Sequence, residues 1–193
     1  MPSFTVESWW TDHLSQGGGG GRNGSGQAGS GFDPGDLLEE KAERPGHYRL
    51  SIEGVDKFDT AFYTRFGLDV AQEDFSFGWS GAGSGYTIGN SVTLNSEVWQ
   101  LIPENQEFTL AHEMTHSVQY GELGTGGFLS RYLPEWCRGQ DANYGIPDSL
   151  LGSPVNMSNI VSPSYTLDQI AQQNAHLVVP DNTIGWWKRG ELN

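Results

Sequence analysis

Apolar residues recur along this chain with periods that change from segment to segment, and each change marks an element. In "HYRLSIEG", Tyr48, Leu50 and Ile52 alternate with polar neighbours, the period of a half-buried strand. "DKFDTAFYTRFGLD" places Phe58, Ala61, Phe62 and Phe66 at helical spacing, which predicts one helix face closed by Gly67. Upstream, "DPGDLLEEKAERPG" reads as a short acidic helix opening at Asp36. "YTIGNSVTLN" puts β-formers on both sides of Gly89-Asn90, a strong hairpin signal. A helix follows from Pro103, which suits a first turn. Glu104 and Glu107 favour its positive end, and Gly121 is placed to stop it in the left-handed conformation. After the glycine-rich turn "GTGG", the stretch "FLSRYLPEWCR" carries a stripe of Phe128, Leu129, Tyr132, Leu133 and Trp136. Pro134 within it predicts a kink or a fresh helix start. "DANYGIPDSLLGSPVNMSN" reads as loop, and "TLDQIAQQNAHL" as a last helix capped by Thr166 before the tail "IGWWKRGELN". The mixture of strand and helix patterns predicts an α+β fold.

One stretch breaks the patterning altogether. Residues 17–31, "GGGGGRNGSGQAGSG", contain nine glycines, and such a run behaves as a flexible linker with a reach of about 20 Å. The expected organisation is therefore a tethered peptide over 1–16, a linker over 17–31 and a folded domain over 32–193. No internal repeat is visible. At 193 residues the chain is long enough to bury a real core in one domain.

Charge narrows the partners. Ten Lys plus Arg against 24 Asp plus Glu give a formal charge of −14. A surface so acidic repels phosphate backbones and anionic lipid, which argues against nucleic acid and against a membrane surface. The single cysteine, Cys137, allows no intrachain disulfide, and without a base nearby in the pattern it reads as a packing residue. The start "MPSFTVESWWTDHLSQ" lacks the basic and apolar regions of a signal peptide. No stretch approaches the ~18 apolar residues of a membrane span. The expectation is a soluble protein, cytoplasmic or exported by a route without a signal peptide.

The candidate chemistry lies in "EFTLAHEMTHSVQY", residues 107–120, which holds two of the five histidines. On a helix, residues four apart lie about 40° from each other, so His112 and His116 point the same way. That spacing lets two imidazoles share one zinc ion at bond lengths of ~2.0–2.1 Å. Glu113, about 100° round from His112, can reach a zinc-bound water, take its proton as general base and return it to a leaving amine. The pattern is that of peptide-bond hydrolysis. The helix also offers an apolar face of Phe108, Ala111 and Val118. Its bland counterpart is a helix whose histidines are merely hydrogen-bonded.

"TIGNSVTLNSEVW" followed by "FTLAHEMTHSVQY" resembles the extracellular contractile injection system core group (DUF4157) and related zincin-like domains of the peptidase MA clan. In those, a Gly-Asn hairpin precedes a helix of the type L-x-H-E-x-T-H-x-x-Q. The match covers roughly residues 85–138, with Gly89-Asn90, the histidine helix, Thr115, Gln119 and the "FLSRYL" helix as its marks. The resemblance implies a small zincin-like domain with an edge strand beside the active helix, where an extended peptide substrate lies. It also implies Zn2+ held by His112 and His116, with Glu113 as base.

A catalytic zinc takes three protein ligands plus water, and in gluzincins, which this chain resembles, the third is a glutamate on a later helix. Glu135, after eighteen intervening residues, is the expected third ligand. Asp148 in "IPDSLLG" is the alternative, and the absence of any third ligand is another. Without one, the domain reads as a catalytically inactive zincin-fold module for assembly, cargo or partner binding, for which the resemblance suggests phage-tail-like injection particles. Tyr120, Tyr144 and Tyr165 are candidates for polarising a substrate carbonyl, with core packing as the alternative for each. Four of the seven tryptophans fall at the two ends, Trp9-Trp10 and Trp186-Trp187. An aromatic pair left in water is costly, so Trp9 and Trp10 are candidates for self-association or docking on a carrier, the alternative being an N-terminus with no such role. A weaker reading takes the exposed tryptophans as a platform for carbohydrate or peptide.

Overall fold

The computed structural model describes residues 34–78, 85–101, 105–139 and 159–179, all within the unit that runs from Asp33 to Asn193. The peptide 1–16, the linker 17–31, Pro103, Glu104, Tyr144, Asp148, both tryptophan pairs and the side chains of Trp136 and Cys137 lie outside the described residues. Among the described residues, five strands and several helices make an α+β domain, as the patterning predicts. The strands are β1 (Leu38–Glu40), β2 (His47–Leu50), β3 (Asp74–Gly78), β4 (Gly85–Ile88) and β5 (Ser91–Asn95). The helices are α1 (Ile52–Phe58), α2 (Ala61–Arg65), α3 (Ser96–Leu101), α4 (Gln106–Gly139) and α5 (Leu167–Val178), with a short 3-10 turn at Val70–Gln72.

The sheet order is β1-β2-β3-β5-β4. β3 and β5 run parallel, and the other neighbours are antiparallel. The register Leu38↔Leu50, Tyr48↔Phe75, Phe75↔Val92, Phe77↔Leu94 and Leu94↔Gly85 puts one apolar row on a single face. Leu38, Tyr48, Leu50, Phe75, Val92 and Leu94 are all buried there. The hairpin at Gly89-Asn90 joins β4 to β5 as expected, with Gly89 at φ +62°.

Several expectations change in the detail. The segment opening at Asp36 forms β1 rather than a helix, because pairing with β2 buries Leu38 against Leu50 across the sheet. Ile52 is not the last inward residue of a strand. It opens α1 and is 81 % exposed, since Ser51 caps that helix by accepting from the Gly54 N–H at 3.1 Å. The single helix expected around Phe58 and Phe66 is two. The backbone of Asp59 leaves the helical region (ψ 63°) and Thr60 is extended, which turns Phe58 and Tyr63 both into the core, each fully buried.

The long helix α4 does not stop at Gly121. It runs one turn further and bends at Gly124, whose φ of +65° and ψ of 166° are non-helical. A side chain is strained at that φ, and glycine is not. The extra turn brings Leu123 against the cluster of Tyr120, Phe128 and Leu167, a burial that a stop at Gly121 forgoes. The bend folds the second half back, so the Tyr120 and Phe128 rings stack at 4.0 Å. Pro134 lies in the second half without ending it. Among the described residues, no helix is long and apolar enough to cross a membrane.

Candidate metal centre

Every residue from Phe108 to Tyr120 is buried, including the polar ones. The first half of α4 is therefore no ordinary amphipathic helix. Its apolar side, with Leu110, Ala111 and Met114, is fully buried, and Tyr63 of α2 donates to the Ala111 carbonyl at 3.0 Å. Its polar side is equally enclosed. Burying polar groups is unfavourable unless each finds a partner, and here the partners come from four other parts of the chain.

Asn174 of α5 donates to Thr115 Oγ1 at 2.7 Å, while that hydroxyl donates to the Ala111 carbonyl at 2.8 Å. Ser117 donates to Glu73 Oε2 at 2.7 Å. Glu113 Oε2 accepts from Thr87 Oγ1 at 2.7 Å. Thr87 comes from β4, and so does Gly85, the next inward position on that strand. A Cβ on Gly85 would stand 3.1 Å from Glu113 Oε1 and 3.0 Å from the Thr93 carbonyl. The glycine thus leaves room for the carboxylate.

Gln119 settles the chemistry of His116. Its Nε2 donates to the carbonyls of Ile160 and Leu167, both at 3.1 Å. Its Oε1 therefore faces His116 Nδ1, at 2.7 Å, and can only accept. That makes His116 Nδ1 a donor and turns Nε2 toward the site, the tautomer in which a histidine ligates a metal through Nε2.

The third group at the site is Asp168. Its Oδ1 lies 3.2 Å from His116 Nε2 and 3.6 Å from His112 Nε2. His112, His116 and Asp168 each offer a donor atom, and these lie within 4.8 Å of one another. Donors ~2.0–2.1 Å from a tetrahedral zinc stand about 3.3–3.4 Å apart, so the separations at Asp168 bracket the required value. The histidine rings meet edge to face at 4.8 Å and 83°. Burial works to raise the Asp168 carboxyl, but hydrogen bonds and charges from His112 and His116 outweigh it and hold the group below the usual carboxylate range. Burial likewise works to lower the His116 imidazole, yet the hydrogen bond and charge of Asp168, then the charge of Glu113, raise it. The cluster can hold a metal ion, and its donor set of two imidazoles and a carboxylate suits zinc among others.

The structure thus brings together His112, His116 and Glu113, and it adds Asp168 where Glu135 was expected. The Glu135 carboxylate faces Arg131 Nε at 3.0 Å and the Leu167 N–H at 2.8 Å. Tyr120 packs its ring on Phe128, and the carbonyl of Tyr165 accepts from Arg131. Asp168 carried no distinguishing signal in the sequence. It occupies the first turn of α5, where acids are favoured by the helix dipole whatever their role. Thr87 and Gly85 read only as hairpin residues.

Comparisons with protein-family models, with curated proteins and with solved structures found no match.

Proposed function

We propose that this protein is a zinc-dependent peptide-bond hydrolase of zincin type, with His112, His116 and Asp168 holding the ion and Glu113 as general base. The observation that carries this reading is the gathering of two imidazoles and a carboxylate with donor atoms within 4.8 Å of one another, beside a buried glutamate from the same helix turn. A zinc ion held there would polarise a carbonyl and lower the pKa of a water toward ~7.

The chain's own residues would do the rest. Thr87 holds Glu113 Oε2 and leaves Oε1, beside Gly85, as the basic oxygen. That oxygen takes a proton from the attacking water and passes it to the amine as the peptide bond breaks. Gln119 keeps His116 in the ligating tautomer. Among the described residues β4 pairs only with β5, so its other edge can accept an extended peptide by main-chain hydrogen bonds. That edge lies on the strand that holds Glu113, which favours a peptide substrate.

Metal content and turnover on a quenched-fluorescent peptide library test the reading together. The wild type should hold about one zinc per chain and cut a subset of peptides. Glu113→Gln should keep the zinc and lose on the order of 10²–10⁴ in turnover, whereas Asp168→Ala should lose the zinc. A wild type that takes up no zinc refutes the proposal. Zinc binding without cleavage of any peptide leaves a module that binds metal but does not cut.

A further inference from the structure

Glu135 is half-buried, and its carboxylate is held by two donors, neither of them an imidazole. Its Oε2 accepts from the main-chain N–H of Leu167 at 2.8 Å, and its Oε1 accepts from Arg131 Nε at 3.0 Å. Leu167 is fully buried and immediately precedes Asp168. On its other side, the Leu167 carbonyl accepts from Gln119 Nε2 at 3.1 Å. This one residue is therefore gripped at its N–H by the second half of α4 and at its C=O by the first half.

Arg131 extends the grip to the approach of α5. Its Nη1 donates to the Val161 carbonyl at 2.6 Å, and its Nη2 donates to the carbonyls of Ser162 and Tyr165. Residues 159–166 form no helix or strand, so these contacts substitute for a regular hydrogen-bonding pattern. A guanidinium suits the task because its donors are fixed in one planar fork. The Leu167 N–H belongs to the first turn of α5, where helix donors have no partner within the helix.

We infer that Arg131 and Glu135 are positioning residues that set the first turn of α5, and with it the Asp168 carboxylate, against His112 and His116. The inference rests on the metal reading above. Glu135 thus serves the ion without touching it. Removing its carboxylate leaves the Leu167 N–H buried with no acceptor and frees Arg131 Nε, and the first turn of α5 loses its fixed height over the imidazoles.

The test uses the full chain loaded with Co2+ in place of Zn2+. It reads affinity by competition with a chelator and ligand geometry by the visible ligand-field band. Glu135→Ala should bind one cobalt per chain with the wild-type band and an affinity about 10–100-fold weaker, the usual effect of losing a partner that orients a ligand. Glu135→Gln retains an acceptor for the Leu167 N–H and should fall between the two. Asp168→Ala should lose the band. If Glu135→Ala does not fold, Arg131→Lys keeps the charge without the fork and should weaken cobalt in the same range, band intact. A band lost in Glu135→Ala as in Asp168→Ala makes Glu135 a ligand and overturns the inference. Unchanged affinity in Glu135→Ala overturns it too. Cobalt bound normally by both His112→Ala and His116→Ala overturns the metal reading itself, independently of the clamp.

Discussion

Glu73 offers a quantitative check on how the candidate helix is seated. Its side chain is fully buried, and its Oε2 accepts from Ser117, the neighbour of His116 in the chain. Burial pushes its carboxyl from 4.5 up to about 8, against the hydrogen bond of Ser117 and the charge of Lys41 and with the charge of Asp74. Below pH 4.5 the acid is neutral whether the chain is folded or not. Between that value and about 8 the unfolded chain releases a proton that the folded one keeps, so stability falls as pH rises; above about 8 both states are ionised and the slope ends. At about 1.4 kcal/mol per pH unit, the full window corresponds to a loss of at most about 5 kcal/mol. Other groups titrate over the same range, so the informative quantity is the difference from Glu73→Gln. That variant keeps an acceptor for Ser117 and cannot ionise. Its buried amide costs about 1–3 kcal/mol at every pH. The wild type should therefore be the more stable protein at pH 5, and the gap should shift in favour of the glutamine by about 3–5 kcal/mol by pH 8.5. Urea unfolding in chelator at both pH values measures it. A gap that moves by less than about 0.5 kcal/mol would mean that Glu73 is ionised in the native protein throughout, and the burial reasoning would be refuted.

The remaining predictions concern the site. Any metal ion held through His116 Nε2 has to displace a proton from that raised imidazole, which lies against Asp168. Affinity should therefore be lower at pH 6 than at pH 8, by about tenfold for each proton displaced per pH unit; equal affinities in a chelator-competition titration would refute this. Gly85→Ala drives a Cβ against the Thr93 carbonyl and the Glu113 carboxylate. It should cost about 1–3 kcal/mol in chemical denaturation while leaving metal uptake at the His112, His116 and Asp168 cluster as in the wild type, and full stability would show that the strand yields freely.

What could be read from the sequence, and what could not, divides along the range of the interactions. The histidine helix and the Gly89-Asn90 hairpin depend on residues within a few positions of one another, and both are in place. Local pattern failed where distant pairing decided. The stretch at Asp36 looked helical until β2 came beside it, and the parallel alignment of β3 with β5 has no signature in either strand. The carboxylates show the same limit at the site. Glu135 had a plausible spacing and lay on the expected helix, whereas Asp168 stands 52 residues beyond His116 in a position where an acid is unremarkable. Yet both act at the same end of α5, Glu135 reaching the Leu167 N–H from α4 and Asp168 lying in the first turn. The bend at Gly124 precedes the part of α4 that carries Glu135, and there the carboxylate meets the Leu167 N–H rather than an imidazole. A glycine in a "GTGG" turn signals a change of direction but carries no information about its angle. The sequence leaves the two acids interchangeable, and their different neighbours arise only where α4 packs on the start of α5.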